Sequence, residues 1–174
     1  ITKRGIMLLL AFLPILVIFG IIAYLVYMGA FLPVQIEEKS VGPFHFLYRE
    51  INAKDYSLVG KTIAEISDLL KQYNFTNQRP FQIFYPDEEK KKAEVGFIVE
   101  EKVSDLKDIQ IKSIPASNCL TTTYPWRNSY SFVFGFMKVD PALKQYRASN
   151  NLKKTEAMIM LEADTIHYMQ RIEK

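Results

Sequence analysis

The sequence predicts an α+β fold: two pseudo-symmetric strand–helix–strand–strand repeats forming one antiparallel sheet with helices on one face, preceded by a single transmembrane helix. Three observations predict it. Residues 6–34 carry no charged side chain. The remainder repeats itself at an offset of 73, with Ile36, Lys39, Ser40 and Leu47 matching Ile109, Lys112, Ser113 and Leu120. Further on, Leu70-Lys71-Gln72-Tyr73 matches Leu143-Lys144-Gln145-Tyr146. Within each copy the apolar spacing passes from a period of two to helical spacing and back.

The uncharged run comes first. As a helix it reaches about 43 Å at ~1.5 Å per residue, against a hydrocarbon core of roughly 30 Å. Arg4 lies just before it, and Tyr24 and Tyr27 fall near its far end, where amphipathic rings favour a membrane interface. Pro14 predicts a kink and Pro33 a stop. The run is too long for a signal-peptide core, and Met28 sits badly for cleavage after Ala30. These features predict an uncleaved anchor over residues 1–35. Lys3 and Arg4 favour an N-terminus on the cytoplasmic or matrix side with the domain across the membrane, while Glu37, Glu38 and Lys39 on the far flank leave the side of the domain open. The expected location is an organellar or endoplasmic reticulum membrane, or a bacterial inner membrane.

The remaining residues suffice for one domain, 36–174, with repeat one at 36–101 and repeat two at 109–174. In repeat one, 41–51 is aromatic and β-branched, and 58–73 has helical spacing in Val59, Ile63, Ile66, Leu70 and Tyr73. Strands follow at 81–85 and 94–101, joined by a polar hairpin tip. Repeat two opens at Ile109 and continues into a strand at 119–124 that Pro125 ends. A helix follows over 127–137. Asp140-Pro141 has the form of an N-cap and first-turn proline, which restarts a helix over 142–149. Strands at 156–162 and 164–172 close the copy, with Ile166, Tyr168, Gln170 and Ile172 on one face.

A net charge of +3 is too small to indicate nucleic acid, and acidic Asp87, Glu88 and Glu89 precede the triplet Lys90, Lys91 and Lys92. One cysteine, Cys119, excludes an internal disulfide and a thiolate cluster. His45 and His167 lack ligand-spaced neighbours, so no metal or cofactor is implied. No phosphate loop, nucleophile elbow or zinc-helix motif is present, and a non-enzymatic role follows. The seam or open sheet face supplies a groove. Tyr48, Tyr124, Trp126 and Tyr168 are candidate walls there, with Glu100 or Glu162 as the carboxylate, because aromatic walls with one carboxylate hold flat or cationic molecules.

Certain stretches resemble the gyrase-inhibitor-like small-molecule-binding family. They are Val41-Gly42-Pro43-Phe44, Ser113-Ile114-Pro115-Ala116 and Ile166-His167-Tyr168-Met169. Together with Val139-Asp140-Pro141-Ala142-Leu143 and Thr122-Thr123-Tyr124-Pro125, they are most similar to the testis-expressed ER-phagy receptors of animals, which carry an N-terminal span before this domain. The resemblance implies two strand–helix–strand–strand repeats, a groove for small molecules or partners, and mostly non-catalytic function. The acidic tail with which those receptors recruit partners is not part of this sequence.

The leading expectation is a single-pass, membrane-anchored binding module without catalysis, an accessory subunit touching other transmembrane subunits. The alternatives are a receptor for a small hydrophobic, haem-like or cationic ligand, an ER-phagy-receptor-like adaptor, and a hydrolase using a groove carboxylate, Glu100 or Glu162, with Trp126 nearby.

Overall fold

The structure is a computed structural model that describes residues 3–55, 57–75, 78–86, 92–100 and 108–173, with side chains from residue 12 onward. Its elements in chain order are α1 (Lys3–Tyr27), β1 (Glu37–Val41), β2 (Phe44–Asn52), α2 (Ser57–Gln72), β3 (Arg79–Phe84), β4 (Lys92–Val99), β5 (Gln110–Ile114), β6 (Ser117–Pro125), α3 (Tyr130–Ser149), β7 (Ala157–Glu162) and β8 (Thr165–Arg171). The predicted hairpin tip and lysine triplet fall mainly on residues 87–91, outside the described residues, as does the side chain of Arg4.

The eight strands form one antiparallel sheet, curled into a half-barrel, in the order β1-β6-β8-β7-β3-β4-β2-β5. The order is symmetric about the β7–β3 pair. Each copy contributes its inner three strands to its own half and sends its first strand to the other. Thus β1 pairs with β6 of the second copy, and β5 pairs with β2 of the first. Each copy therefore reads strand–strand–helix–strand–strand, one short strand more than the sequence predicts. Glu37-Glu38-Lys39-Ser40-Val41 hides β1 because an edge strand on a wet rim needs no apolar face. The offset of 73 holds from β1 to β5, from β2 to β6 and from β4 to β8. It fails at β3 and β7, because α3 has 20 residues against 16 in α2.

Both long helices pack on one face of the sheet. In α2, Thr62, Ile66 and Leu70 are buried at four-residue intervals, which puts them on one stripe. Ile66 and Leu70 meet Leu47, Phe97 and Val99. Asp55 starts α2 by accepting the Ser57 N–H at 3.0 Å. In α3, Val139 and Leu143 pack against Leu120, Ile159 and Ile166. These two contacts flank Pro141 and carry the helix through it, so α3 is one continuous element and Asp140 lies inside it. The lost N–H of a proline costs a helix about one hydrogen bond, and burial of two apolar side chains at roughly 1.5–3 kcal/mol each outweighs that. The start of α3 is secured from within, where Ser131 Oγ accepts the N–H groups of Arg127 and Asn128 at 2.9 and 3.2 Å.

The predicted fold class is corrected at its N-terminus. Among the described residues, no helix is long and apolar enough to cross a membrane. The expected anchor, the membrane localisation and the interface roles of Arg4, Tyr24 and Tyr27 lose their support with it. Tyr27 instead lies under the Arg127 guanidinium, 5.6 Å from the ring centre. The C-terminal end of α1 is fastened to the domain. Tyr124 donates its hydroxyl to the Met28 carbonyl at 2.7 Å, and Lys138 Nζ donates to the carbonyls of Ala30 and Leu32. Gly29 turns the chain there with φ +79°, a left-handed conformation that closes helices at low cost only with glycine.

Gly96 in β4 leaves no room for a side chain against β2. A Cβ built on it would stand 1.8 Å from the carbonyl oxygen of Leu47. Strand glycines mark such approaches, so Gly96→Ala is expected to destabilise the fold by about 3 kcal/mol. Gly60 on α2 has nothing within 4 Å of a built Cβ, and Gly60→Ala should stabilise by about 0.5–1 kcal/mol. Urea denaturation of both variants checks the pair, and a mild Gly96→Ala effect would refute the contact.

Candidate functional site

The concave face of the half-barrel is opposite the helices. Phe46, Phe81, Ile98, Met158, Met160 and Met169 are buried together on it. Strand alternation puts them there, since Leu47, Phe97 and Ile159, one residue away, face the helices instead.

At the β5 side of this face one carboxylate is buried. Glu94 of β4 is 4% exposed. A buried, unpaired carboxylate costs several kcal/mol, so a positive group must meet it. Lys112 of β5 does so, its Nζ in contact with Glu94 Oε2. The same ammonium donates to the Tyr85 hydroxyl at 3.1 Å. It also stands 4.9 Å from the ring centre of Tyr48 and 5.8 Å from those of Phe46 and Tyr85. Phe46 and Tyr48 stack at 5.1 Å with their planes 17° apart, and Phe81 packs edge-on against Phe46 at 4.9 Å. Three aromatic rings and one carboxylate thus surround the Lys112 ammonium. Ring attraction for a partly desolvated ammonium contributes roughly 0.5–2 kcal/mol.

Tyr85 and Tyr48 both hold their protons above the ordinary tyrosine range. Burial is the main cause for each. For Tyr85 the hydrogen bond to Glu94 comes next, and for Tyr48 the Glu94 charge, which Lys112 partly offsets. As a neutral phenol, Tyr85 keeps a proton to donate towards the carboxylate.

The candidate residues read from the sequence do not converge. Tyr48 lies in the cage. Tyr124, Trp126 and Tyr168 belong to the helix-side core, where Trp126 packs 5.1 Å from Phe132. Gly135 makes room for the Tyr168 hydroxyl, 2.4 Å from where a Cβ would be. Glu100 is exposed past the end of β4. Glu162 is half-exposed on the far half of the sheet, 3.1 Å from Arg79 and 3.7 Å from His167 Nε2. The sequence reading missed Glu94, Lys112 and Tyr85. The alternation of Phe44, Phe46 and Tyr48 signals the aromatic wall and the match of Lys112 to Lys39 signals the lysine, whereas nothing in the sequence marks Glu94 or Tyr85. Cys119 is buried, and burial pushes its thiol up, which suits a spectator. A separate surface cleft of about 380 Å³ lies beside Leu32, Pro33, Tyr124 and Pro125. Its charged pair, Arg127 and Asp164, is 4.0 Å apart and exposed to solvent, where such pairs contribute little.

No family model matches the chain, and neither does any curated protein. Among solved structures the chain is similar to EcmrR in its complex with DNA, with a TM-score of 0.63 and 15% identity over 89% of this chain. It spans 64% of that EcmrR chain. It is also similar to the isolated C-terminal domain of EcmrR, with a TM-score of 0.62 and 15% identity, covering 81% of this chain and 98% of that one. A third likeness is to SAV2435 bound to tetraphenylphosphonium, with a TM-score of 0.60 and 7% identity over 80% of this chain and 94% of the other. The domain shares the fold of these structures. At these identities the likeness extends to the fold alone.

The phenols give the site a pH signature. Unfolded tyrosines ionise near pH 10, whereas Tyr48 and Tyr85 retain their protons in the folded chain. The folded state then binds more protons than the unfolded state, so stability is full below pH 10 and falls as pH rises beyond it. Tyr85→Phe should flatten that fall. Urea midpoints measured between pH 9 and pH 11 check this, and an unchanged slope would remove Tyr85 from the account.

Proposed function

We propose that the chain is a non-catalytic binding module whose concave sheet face receives a small molecule carrying a positive charge on an apolar or aromatic body. The observation that carries this reading is Glu94, a buried carboxylate walled by Phe46, Tyr48 and Tyr85. Such a wall attracts cations through ring faces and selects for bulk through apolar contact. Met158, Met160 and Met169 extend the apolar floor beyond the cage, and methionine adapts its shape to varied ligands. SAV2435, which shares the fold, is bound to an organic cation of this kind. The arrangement has no nucleophile beside a base, and its one carboxylate is engaged by Lys112, which favours binding over turnover.

The reading is tested with tetraphenylphosphonium and the full chain by titration calorimetry. Binding in the micromolar range is expected. Glu94→Gln should weaken it about tenfold or more, because a hydrogen bond or contact to a charged group is worth roughly 1.5–3 kcal/mol. Equal affinity in wild type and Glu94→Gln would place any binding elsewhere on the chain.

A further inference from the structure

We infer that Lys112 is a built-in occupant of the cage, so that a cationic ligand enters by displacing its ammonium, and that Lys112 thereby sets which ligands the site admits. This rests on the reading of the concave face as a cation-binding site. Three facts carry it. The ammonium already makes the contacts an incoming cation would make: the Glu94 carboxylate, the Tyr85 hydroxyl, and the faces of Phe46, Tyr48 and Tyr85. Glu94 is sealed from water while the Lys112 side chain is 29% exposed, so the lysine has a route to solvent and the carboxylate does not. Lys112 rides on β5, an outermost strand of the sheet that pairs only with β2.

Displacement makes admission selective. A ligand must supply charge to Glu94 and enough apolar contact to outweigh the ring contacts that Lys112 gives up. A small hydrated cation offers only the first. A bulky organic cation offers both, because its apolar body extends over Phe81 and the methionines. The apparent affinity is lowered by the fraction of molecules in which the cage is already filled.

The test compares Lys112→Met with Lys92→Met in the full chain, titrated with tetraphenylphosphonium. Lys92 is a charge control on the same face. Its Nζ pairs with Glu50 and lies 5.9 Å from the Tyr85 ring centre. Lys112→Met should tighten binding about tenfold, with Lys92→Met within about twofold of wild type. Equal tightening in both variants would mean that net charge alone governs entry and would overturn the inference. So would an unchanged or weaker affinity in Lys112→Met, while wild-type binding that is lost in Glu94→Gln would leave the binding reading standing. Absence of binding in wild type and Lys112→Met alike takes both down. A second measurement needs no variant: amine acylation followed by mass spectrometry. Saturating tetraphenylphosphonium should raise the labelling of Lys112 several-fold and leave Lys92 unchanged, and no rise at Lys112 would overturn displacement.

Discussion

The exchange of first strands between the two copies is the constraint on which the rest depends. Neither copy completes its half of the sheet alone, since β2 takes its outer neighbour from the second copy and β6 takes its from the first. The central β3–β7 pair joins the halves once, and the two exchanged strands join them twice more. The curl of the sheet follows, and with it the concave face on which apolar side chains bury one another without a covering helix. The exchange also brings together the chemistry of the cage. Phe46, Tyr48, Tyr85 and Glu94 come from the first copy, and Lys112 arrives on the strand lent by the second, directly across from Phe46 in the β2–β5 ladder.

The repeat is symmetric in its backbone and asymmetric in its chemistry. At the offset of 73, Lys39 corresponds to Lys112, and the β1–β6 ladder sets it opposite Cys119, as Lys112 is set opposite Phe46. Cys119, Thr121 and His167 stand where the first copy has Phe46, Tyr48 and Glu94. With no aromatic wall and no buried carboxylate to hold it, Lys39 lies on the surface in an exposed pair with Glu37. The same lysine on the same strand is therefore a cage occupant in one half and a solvated side chain in the other. The difference lies in what faces it: Lys112 meets the buried Glu94, and removing a buried carboxylate's only cation is costly, whereas Lys39 meets the exposed Glu37.

Much of the sheet was legible in the sequence because alternation and the internal match report directly on which residues face a core. The apolar spacing of Ile63, Ile66 and Leu70 gave α2, and the identities at Lys39/Lys112 and Leu47/Leu120 gave the duplication. The short strand β1 was not legible, since its residues are polar and exposed. Nor was the continuity of α3, where the local Asp140-Pro141 signal yielded to burial of Val139 and Leu143. The uncharged N-terminal run was weighed by its whole length as a span, which the described helices do not support. The sequence suggests aromatic rings with one carboxylate, and the structure puts Tyr48 in the cage and Tyr124, Trp126, Tyr168, Glu100 and Glu162 elsewhere. Glu94 carries no mark in the sequence to distinguish it from Glu100. Burial alone singles it out, and burial depends on which strands become neighbours.

The reciprocal strands have a consequence for how such a chain can change. In a two-fold pair of separate chains every substitution appears twice, so a cage could be gained or lost only on both sides together. Here the halves are covalently one molecule, and each is propped at its rim by the other. One half is then at liberty to drift in side-chain chemistry while its backbone goes on serving as scaffolding for its twin. Cys119, Thr121 and His167 mark the half without the cage, and Phe46, Tyr48 and Glu94 the half that has it.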